Sequence, residues 1–299
     1  MMFFFQNLPA KTHASFLMIL ALFMFTVMGI CIRLSTASLP VIEVVFFRNF
    51  LATLILLPFI TRAGFETLRM QKPRLFFLRA FVGTIGMFCG FTALTLIPLA
   101  EVTALSFTTP LFVTIGAVVF LGEIIKARRI IAICIGFMGT MIILQPGILD
   151  LSIGSILAII NALTIAMISI IVKLQTRTET QQAIVSWMVL LQIPLCLIPA
   201  LWVWQWPDSQ TWAFLWGLAL AGTIAHICFT RACSLVDITA LQPLEFIKLP
   251  FAVALAWIIF SEWPSLWTWI GGSIVFASTL YITHREMVAH EPQKPKARP

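Results

Sequence analysis

Two rows of polar residues interrupt long apolar runs of this sequence and are its best candidates for chemistry. The first row is Thr103, Ser106 and Thr109, and the second is Gln242, Glu245 and Lys248. Side chains three positions apart share one face of a helix, so each row forms a stripe. A charged group at membrane depth costs roughly 2.5 to 3.5 kcal/mol on insertion scales, which disfavours a lipid-facing position. The second stripe therefore predicts either a polar, ligand-binding cavity or a structural pair between Glu245 and Lys248.

Three further polar residues stand within apolar runs. His226 and Asn161 are either hydrogen-bonded packing residues or ligand contacts. Arg48 lies about 10 Å in from the end of its run, at 1.5 Å per helical residue. It is either a snorkelling or ion-paired residue near Glu43 or a ligand contact. We take Arg48 and His226, together with the two stripes, as candidate substrate-binding residues.

The sequence lacks the motifs of the common hydrolases and nucleotide-binding proteins. It contains no HExxH, no GxxxxGK[ST] loop and no GxSxG elbow. Its six cysteines lie in or beside apolar runs, and none is spaced CxxC, which is typical of small core residues. We therefore expect no enzyme activity, no cofactor and no metal site.

Membrane-spanning helices are the elements that must position these residues. The chain of 299 residues is 60% hydrophobic and only 10% charged, with a mean hydropathy of +1.01. This composition excludes a soluble or disordered protein. The apolar runs are continuous, without the alternation of barrel strands, so the fold class is all-α. The net charge of +7 is scattered between these runs, a pattern that indicates membrane orientation and not nucleic-acid binding.

Apolar windows of about 18 to 25 residues predict ten transmembrane spans. In chain order, spans 1 to 10 cover residues 15–35, 41–61, 75–97, 102–121, 127–145, 152–174, 182–203, 211–233, 238–260 and 266–284. Residues 285–299 are basic and rich in proline, which predicts a disordered tail.

The basic residues orient these spans. With both termini in the cytoplasm, nearly all cations fall on that side, as in the Lys126, Arg128 and Arg129 cluster. The opposite loops near residues 98–100, 146–151, 204–210 and 261–265 contain neither Lys nor Arg. The positive-inside rule therefore predicts a multi-pass protein of the inner membrane with cytoplasmic termini.

The sequence also repeats itself in an unusual way. A shift of 139 positions aligns residues 83–123 with 222–262 at eleven identities in 41. Spans 3 and 4 therefore correspond to spans 8 and 9, a shift of five. An odd shift reverses the orientation of the second copy, which predicts two inverted five-helix repeats over residues 13–145 and 152–284. Inverted repeats are typical of alternating-access transporters that bind substrate near the membrane midplane.

Longer motifs carry a family resemblance. They are EVVFFRNFLATLILLP from Glu43, LRAFVG from Leu78, LTLIPLAEVTALSFTTPLFVTIGAVVFLGE from Leu94, and a weaker second copy that ends in FSE at Glu262. These stretches resemble the EamA-type, ten-helix branch of the drug/metabolite transporter superfamily. The resemblance implies a central cavity lined mainly by spans 3, 4, 8 and 9. Within the branch, the chain is most similar to bacterial uptake carriers for S-adenosylmethionine and for riboflavin.

We therefore expect a secondary transporter or exchanger of a small polar or amphipathic metabolite that works by alternating access. Its partners are the substrate and the lipid bilayer; nucleic acid is not expected, and a homodimer is left open. Export of amino acids or toxic metabolites is the transport alternative. A non-transporting scaffold or a lipid-modifying enzyme is the alternative of another class.

Overall fold

The computed structural model describes residues 10–64, 68–106, 108–122, 127–144, 152–261 and most of 266–277. All regular secondary structure in these ranges is helical. The helices are α1 (Ala10–Ser35), α2 (Val41–Ala63), α3 (Pro73–Leu96), α4 (Leu99–Ser106), α5 (Thr109–Gly116), α6 (Ala127–Leu144), α7 (Ile153–Gln175), α8 (Gln181–Ala200), α9 (Ser209–Leu235), α10 (Ile238–Leu241) and α11 (Lys248–Phe260).

The predicted fold class is confirmed. Six of the described helices are each long and apolar enough to cross a membrane, namely α1, α2, α3, α7, α8 and α9. Helices occupy each of the first nine predicted spans, and the helical residues after 265 fall in the tenth. Residues 278–284 of that span and the predicted tail 285–299 lie outside the described residues.

Spans 4 and 9 are interrupted, which corrects the prediction of continuous helices there. In span 4, α4 ends at Ser106 and α5 begins at Thr109, followed by a π-helical turn, Ala117–Leu121. In span 9, 3₁₀ turns over Gln242–Ile247 separate α10 from α11. Proline explains both breaks, because Pro110, Pro243 and Pro250 lack the N–H that a continuing helix needs.

The two breaks follow the internal repeat. Helix α5 begins at Thr109, and α11 begins at Lys248, which is 139 positions later. The corresponding spans of the two repeats therefore restart at the same repeat position. Transporters commonly form their binding sites from such discontinuous helices, because the interrupted turns leave backbone and side chains free to meet a ligand.

Helix packing crosses between the two halves of the chain. Helix α1 packs along α9, and α3 packs along α7. A shift of 139 positions converts the first pair into the second. Helices α2 and α8, which also correspond, pack against each other. The halves are therefore interlocked, with the first helix of each covering the third helix of the other.

Glycines let α3 approach its neighbours closely. A Cβ at Gly90 would lie 2.7 to 2.9 Å from the amide group of Asn161 on α7. At Gly86, a Cβ would crowd the Thr164 hydroxyl of the same helix. The GxxxG spacing of these glycines thus places the α3 backbone directly against α7.

Two carboxylates hold loops across the halves. Glu43, near the start of α2, accepts a hydrogen bond of 2.7 Å from the backbone N–H of Gln205, before α9. Glu179, before α8, accepts from the backbone N–H groups of Gln71 at 3.0 Å and Lys72 at 2.7 Å, before α3. Each carboxylate therefore fixes the loop that leads into the third helix of the other half.

Candidate functional site

A cavity of about 210 Å³ lies among helices of both halves. Side chains of α1, α3, α4, α7 and α9 line it, with Thr109 at the start of α5 and residues of the α10–α11 region. The volume is a little below the roughly 300 to 1,000 Å³ of typical small-molecule pockets, which suits a small metabolite. Both interrupted spans border this cavity.

Glu245 and Lys248 both line the cavity. They belong to the 3₁₀ turns and to the first turn of α11, respectively. Among the described residues, neither side chain makes a hydrogen bond or an ion pair within 4.0 Å. The two groups still interact electrostatically at longer range. Both residues therefore line the cavity without forming a closely bonded pair, and their contact with a substrate stays a prediction.

The first stripe also lines the cavity, but its hydroxyl groups are already bonded. Thr103 donates to the Leu99 carbonyl at 2.8 Å, and Ser106 donates to the Thr103 carbonyl at 2.6 Å. Thr109 donates across to the Ala162 carbonyl of α7 at 3.2 Å. Each hydroxyl keeps lone pairs with which it can accept a further hydrogen bond.

His226 of α9 lines the same cavity. Its ring stands edge-to-face against Phe25 of α1, with centroids 5.1 Å apart. Its Nδ1 atom is buried without a hydrogen-bond partner among the described residues. A buried polar atom without a partner is uncommon, and this one belongs to a residue of the cavity wall.

Arg48 and Gln242 differ from the other candidates. Arg48 is 2% exposed and is not among the residues that line the cavity. Its guanidinium donates to the Asn49 side chain at 2.8 Å and packs against Gly222, so burial in the α2–α9 interface replaces the expected ligand contact. The ion pair with Glu43 is also not formed in the described structure. The Gln242 backbone lies in the 3₁₀ turns, and its side chain lies outside the described residues.

Sequence reasoning missed the contribution of α1 to this cavity and left that of α7 open. Helix α1 supplies Phe25 and Met28, and α7 supplies Asn161 and Ser169. Apolar residues of a membrane helix carry no signal of which side faces inward, so Phe25 and Met28 could not be found. Asn161 did carry a signal, because it is a polar residue in the middle of an apolar span.

Comparison with known proteins agrees with this architecture. The sequence profile of the EamA-like transporter family matches residues 12–145 and again residues 152–284. The chain belongs to the EamA-like transporter family. The two matches cover most of the chain and agree with the duplication seen in the sequence.

Named relatives of this EamA-like chain are bacterial transporters. An S-adenosylmethionine uptake transporter of Rickettsia conorii is 32% identical over 84% of this chain and 87% of its own. A riboflavin transporter of Vibrio cholerae is 32% identical over 83% of this chain and 85% of its own. A solved structure described as "Crystal structure of protein" has a TM-score of 0.78 at 16% identity, over 94% of this chain and 100% of its own. At that identity, the likeness shows the fold alone.

Proposed function

We propose that this protein is a secondary transporter or exchanger that takes up a small polar or amphipathic metabolite by alternating access. The observation that carries the proposal is the cavity between two inverted repeats, bordered by helices interrupted at equivalent positions. Substrate would bind there and contact Glu245, Lys248, His226 and the first stripe, Thr103, Ser106 and Thr109. The S-adenosylmethionine uptake transporter and the riboflavin transporter among the relatives support the metabolite class, and the first of them supports the direction.

Alternating access requires that the repeats, which we assign to residues 13–145 and 152–284, change their relative position. Helices α4 and α11 pack against each other beside the cavity, and they belong to the two interrupted spans. Movement at this contact would open the cavity alternately to each side of the membrane. We place the protein in the inner membrane with both termini cytoplasmic, as its basic residues indicate.

Transport in sealed vesicles tests this function. Purified protein reconstituted into liposomes should accumulate radiolabelled S-adenosylmethionine or riboflavin faster than protein-free liposomes, and an unlabelled excess should suppress the signal. Preloading the liposomes with the same compound should accelerate uptake if the protein is an exchanger. A protein that moves neither these compounds nor the members of a metabolite library is a scaffold or an enzyme, and the proposal fails.

Reporter fusions test the orientation separately. A reporter at the carboxyl terminus or near Arg69 should read as cytoplasmic, whereas one near Asp208 should read as external. An external carboxyl terminus would overturn the ten-span count and the inverted arrangement that alternating access needs.

A further inference from the structure

Several polar groups of the cavity without a hydrogen-bond partner among the described residues belong to the second half of the chain. They include the Glu245 carboxylate and the Lys248 ammonium, together with His226, a lining residue whose Nδ1 atom is buried without a partner. Their counterparts 139 positions earlier are Ser106, Thr109 and Met87. Those counterparts offer two hydroxyls that already donate to backbone carbonyls and one thioether. The repeat thus places similar backbones around a cavity whose charges come from one half.

Glu245 and Lys248 have opposite charges without an ion-pair contact within 4.0 Å in the described structure. A charge within the membrane that has no close counter-charge is costly. A ligand with one anionic and one cationic group would supply both missing partners at once. A neutral ligand would leave both charges without close partners.

Aromatic rings and methionines form much of the remaining wall. Phe25 and Phe91 come from the first half, Phe229 from the second, and Met28 and Met87 add thioethers. Flat rings pack well edge-to-face or offset against such aromatic side chains, and thioether sulfur also favours ring contacts. The wall beside the charged groups therefore suits an aromatic or heteroaromatic ring.

We propose that the substrate is amphoteric: its carboxylate binds Lys248, its ammonium or other cationic group binds Glu245, and its ring lies against the Phe and Met wall. This inference rests on the proposed function and narrows it, because it makes both charged residues ligand contacts. It favours an amino-acid-like zwitterion with a ring over a neutral ring compound.

Thermal stabilisation of the purified full-length protein tests the ligand class. The amphoteric probes are S-adenosylmethionine and tryptophan, each compared with its decarboxylated counterpart, decarboxylated S-adenosylmethionine and tryptamine. Riboflavin and adenosine serve as ring compounds without a zwitterion. At least one amphoteric probe should stabilise the protein and bind at least tenfold more tightly than its decarboxylated counterpart and than both neutral compounds.

Variants connect each charge of the ligand to one residue. Lys248→Met should reduce the affinity for the amphoteric probe at least tenfold and remove its advantage over the decarboxylated counterpart. Glu245→Gln should weaken the binding of both the amphoteric probe and its decarboxylated counterpart, because both compounds keep the cationic group. Arg231→Met and Asp237→Asn remove charges at exposed positions beyond the cavity and should change neither affinity.

The double variant Glu245→Gln/Lys248→Met keeps the net charge of the cavity. It therefore provides a second test if either single variant fails to fold. A folded double variant that still prefers the carboxylate-bearing probe would overturn the inference. So would riboflavin or adenosine binding as tightly as the amphoteric probes, or no stabilisation by either amphoteric probe. If the double variant still transports riboflavin in liposomes at the wild-type rate, the proposed transport function is kept and only the proposal of an amphoteric substrate is wrong.

Discussion

Gly90 offers a sharp test of how α3 and α7 are packed. An added Cβ would lie 2.7 Å from Nδ2, 2.8 Å from Cγ and 2.9 Å from Oδ1 of Asn161, whereas ordinary contacts begin near 3.4 Å. Gly90→Ala therefore requires a shift of several tenths of an ångström in the Asn161 side chain or in the α7 backbone that carries it. Overpacking of this kind typically costs about 1 to 3 kcal/mol.

Gly29→Ala is the matched control. Gly29 also lies within a helix and borders the cavity, but the nearest atom to its added Cβ is Leu99 Cδ1 at 3.6 Å, an ordinary contact. Both substitutions gain up to about 1 kcal/mol of helix propensity. Their difference in unfolding free energy therefore isolates the steric cost at Gly90.

Thermal unfolding in detergent measures this difference. At about 2 to 4 °C per kcal/mol, Gly90→Ala should unfold roughly 2 to 12 °C below Gly29→Ala. Asn161→Ala removes the crowded amide, so adding Gly90→Ala to that variant should cost little or nothing. If Gly90→Ala is as stable as Gly29→Ala, or if Asn161→Ala brings no relief, the close α3–α7 contact described above is incorrect.

Two more substitutions probe buried and exposed polar groups. Arg79 is 1% exposed and donates to the Ile184 carbonyl at 2.9 Å, so Arg79→Leu should lose about 1.5 to 3 kcal/mol, the contribution of a hydrogen bond from a charged group; equal melting temperatures for Arg79→Leu and wild type would contradict this. Asp208 caps α9, and hydrogen bonds from the Thr211 hydroxyl and backbone N–H lower the pKa of its carboxyl. A depressed pKa stabilises the fold above the unfolded pKa of about 4 and loses that contribution as pH falls through the folded value. Asp208→Asn should therefore melt below wild type at pH 7, and the gap should narrow as the pH falls below about 4; a gap that stays constant down to the lowest pH at which the protein is folded would refute the ionised cap.

The sequence predicts the fold well because its signals are repeated over many residues. A run of apolar residues about 20 long specifies a span, and α3, predicted over residues 75–97, forms at Pro73–Leu96. The breaks at Thr108 and Gln242–Ile247 depend on a few prolines, whose local effect competes with strong helical runs. Proline positions could have indicated these breaks, but not whether a kink, 3₁₀ turns or two separate helices would result.

The candidate site could be predicted in part. Glu245, Lys248 and His226 were identified because polar groups are costly in apolar spans, and all three line the cavity. The same reasoning also selected Arg48, which is buried in an interface between helices. The energetic cost of a polar group in lipid shows only that the residue avoids lipid. Whether it faces a cavity or another helix depends on tertiary packing, which no single span encodes.

The interlocked halves have a consequence for biosynthesis. Helix α3 is inserted into the membrane well before α7, so its glycine-rich surface has no α7 to pack against until the second half of the chain has been translated. Helix α1 likewise cannot pack until α9 has been synthesised, because it packs along α9 in the finished protein. Neither half can complete its packing alone, and final assembly must follow synthesis of nearly the whole chain. Two separately expressed halves should accumulate only when both are made in the same membrane.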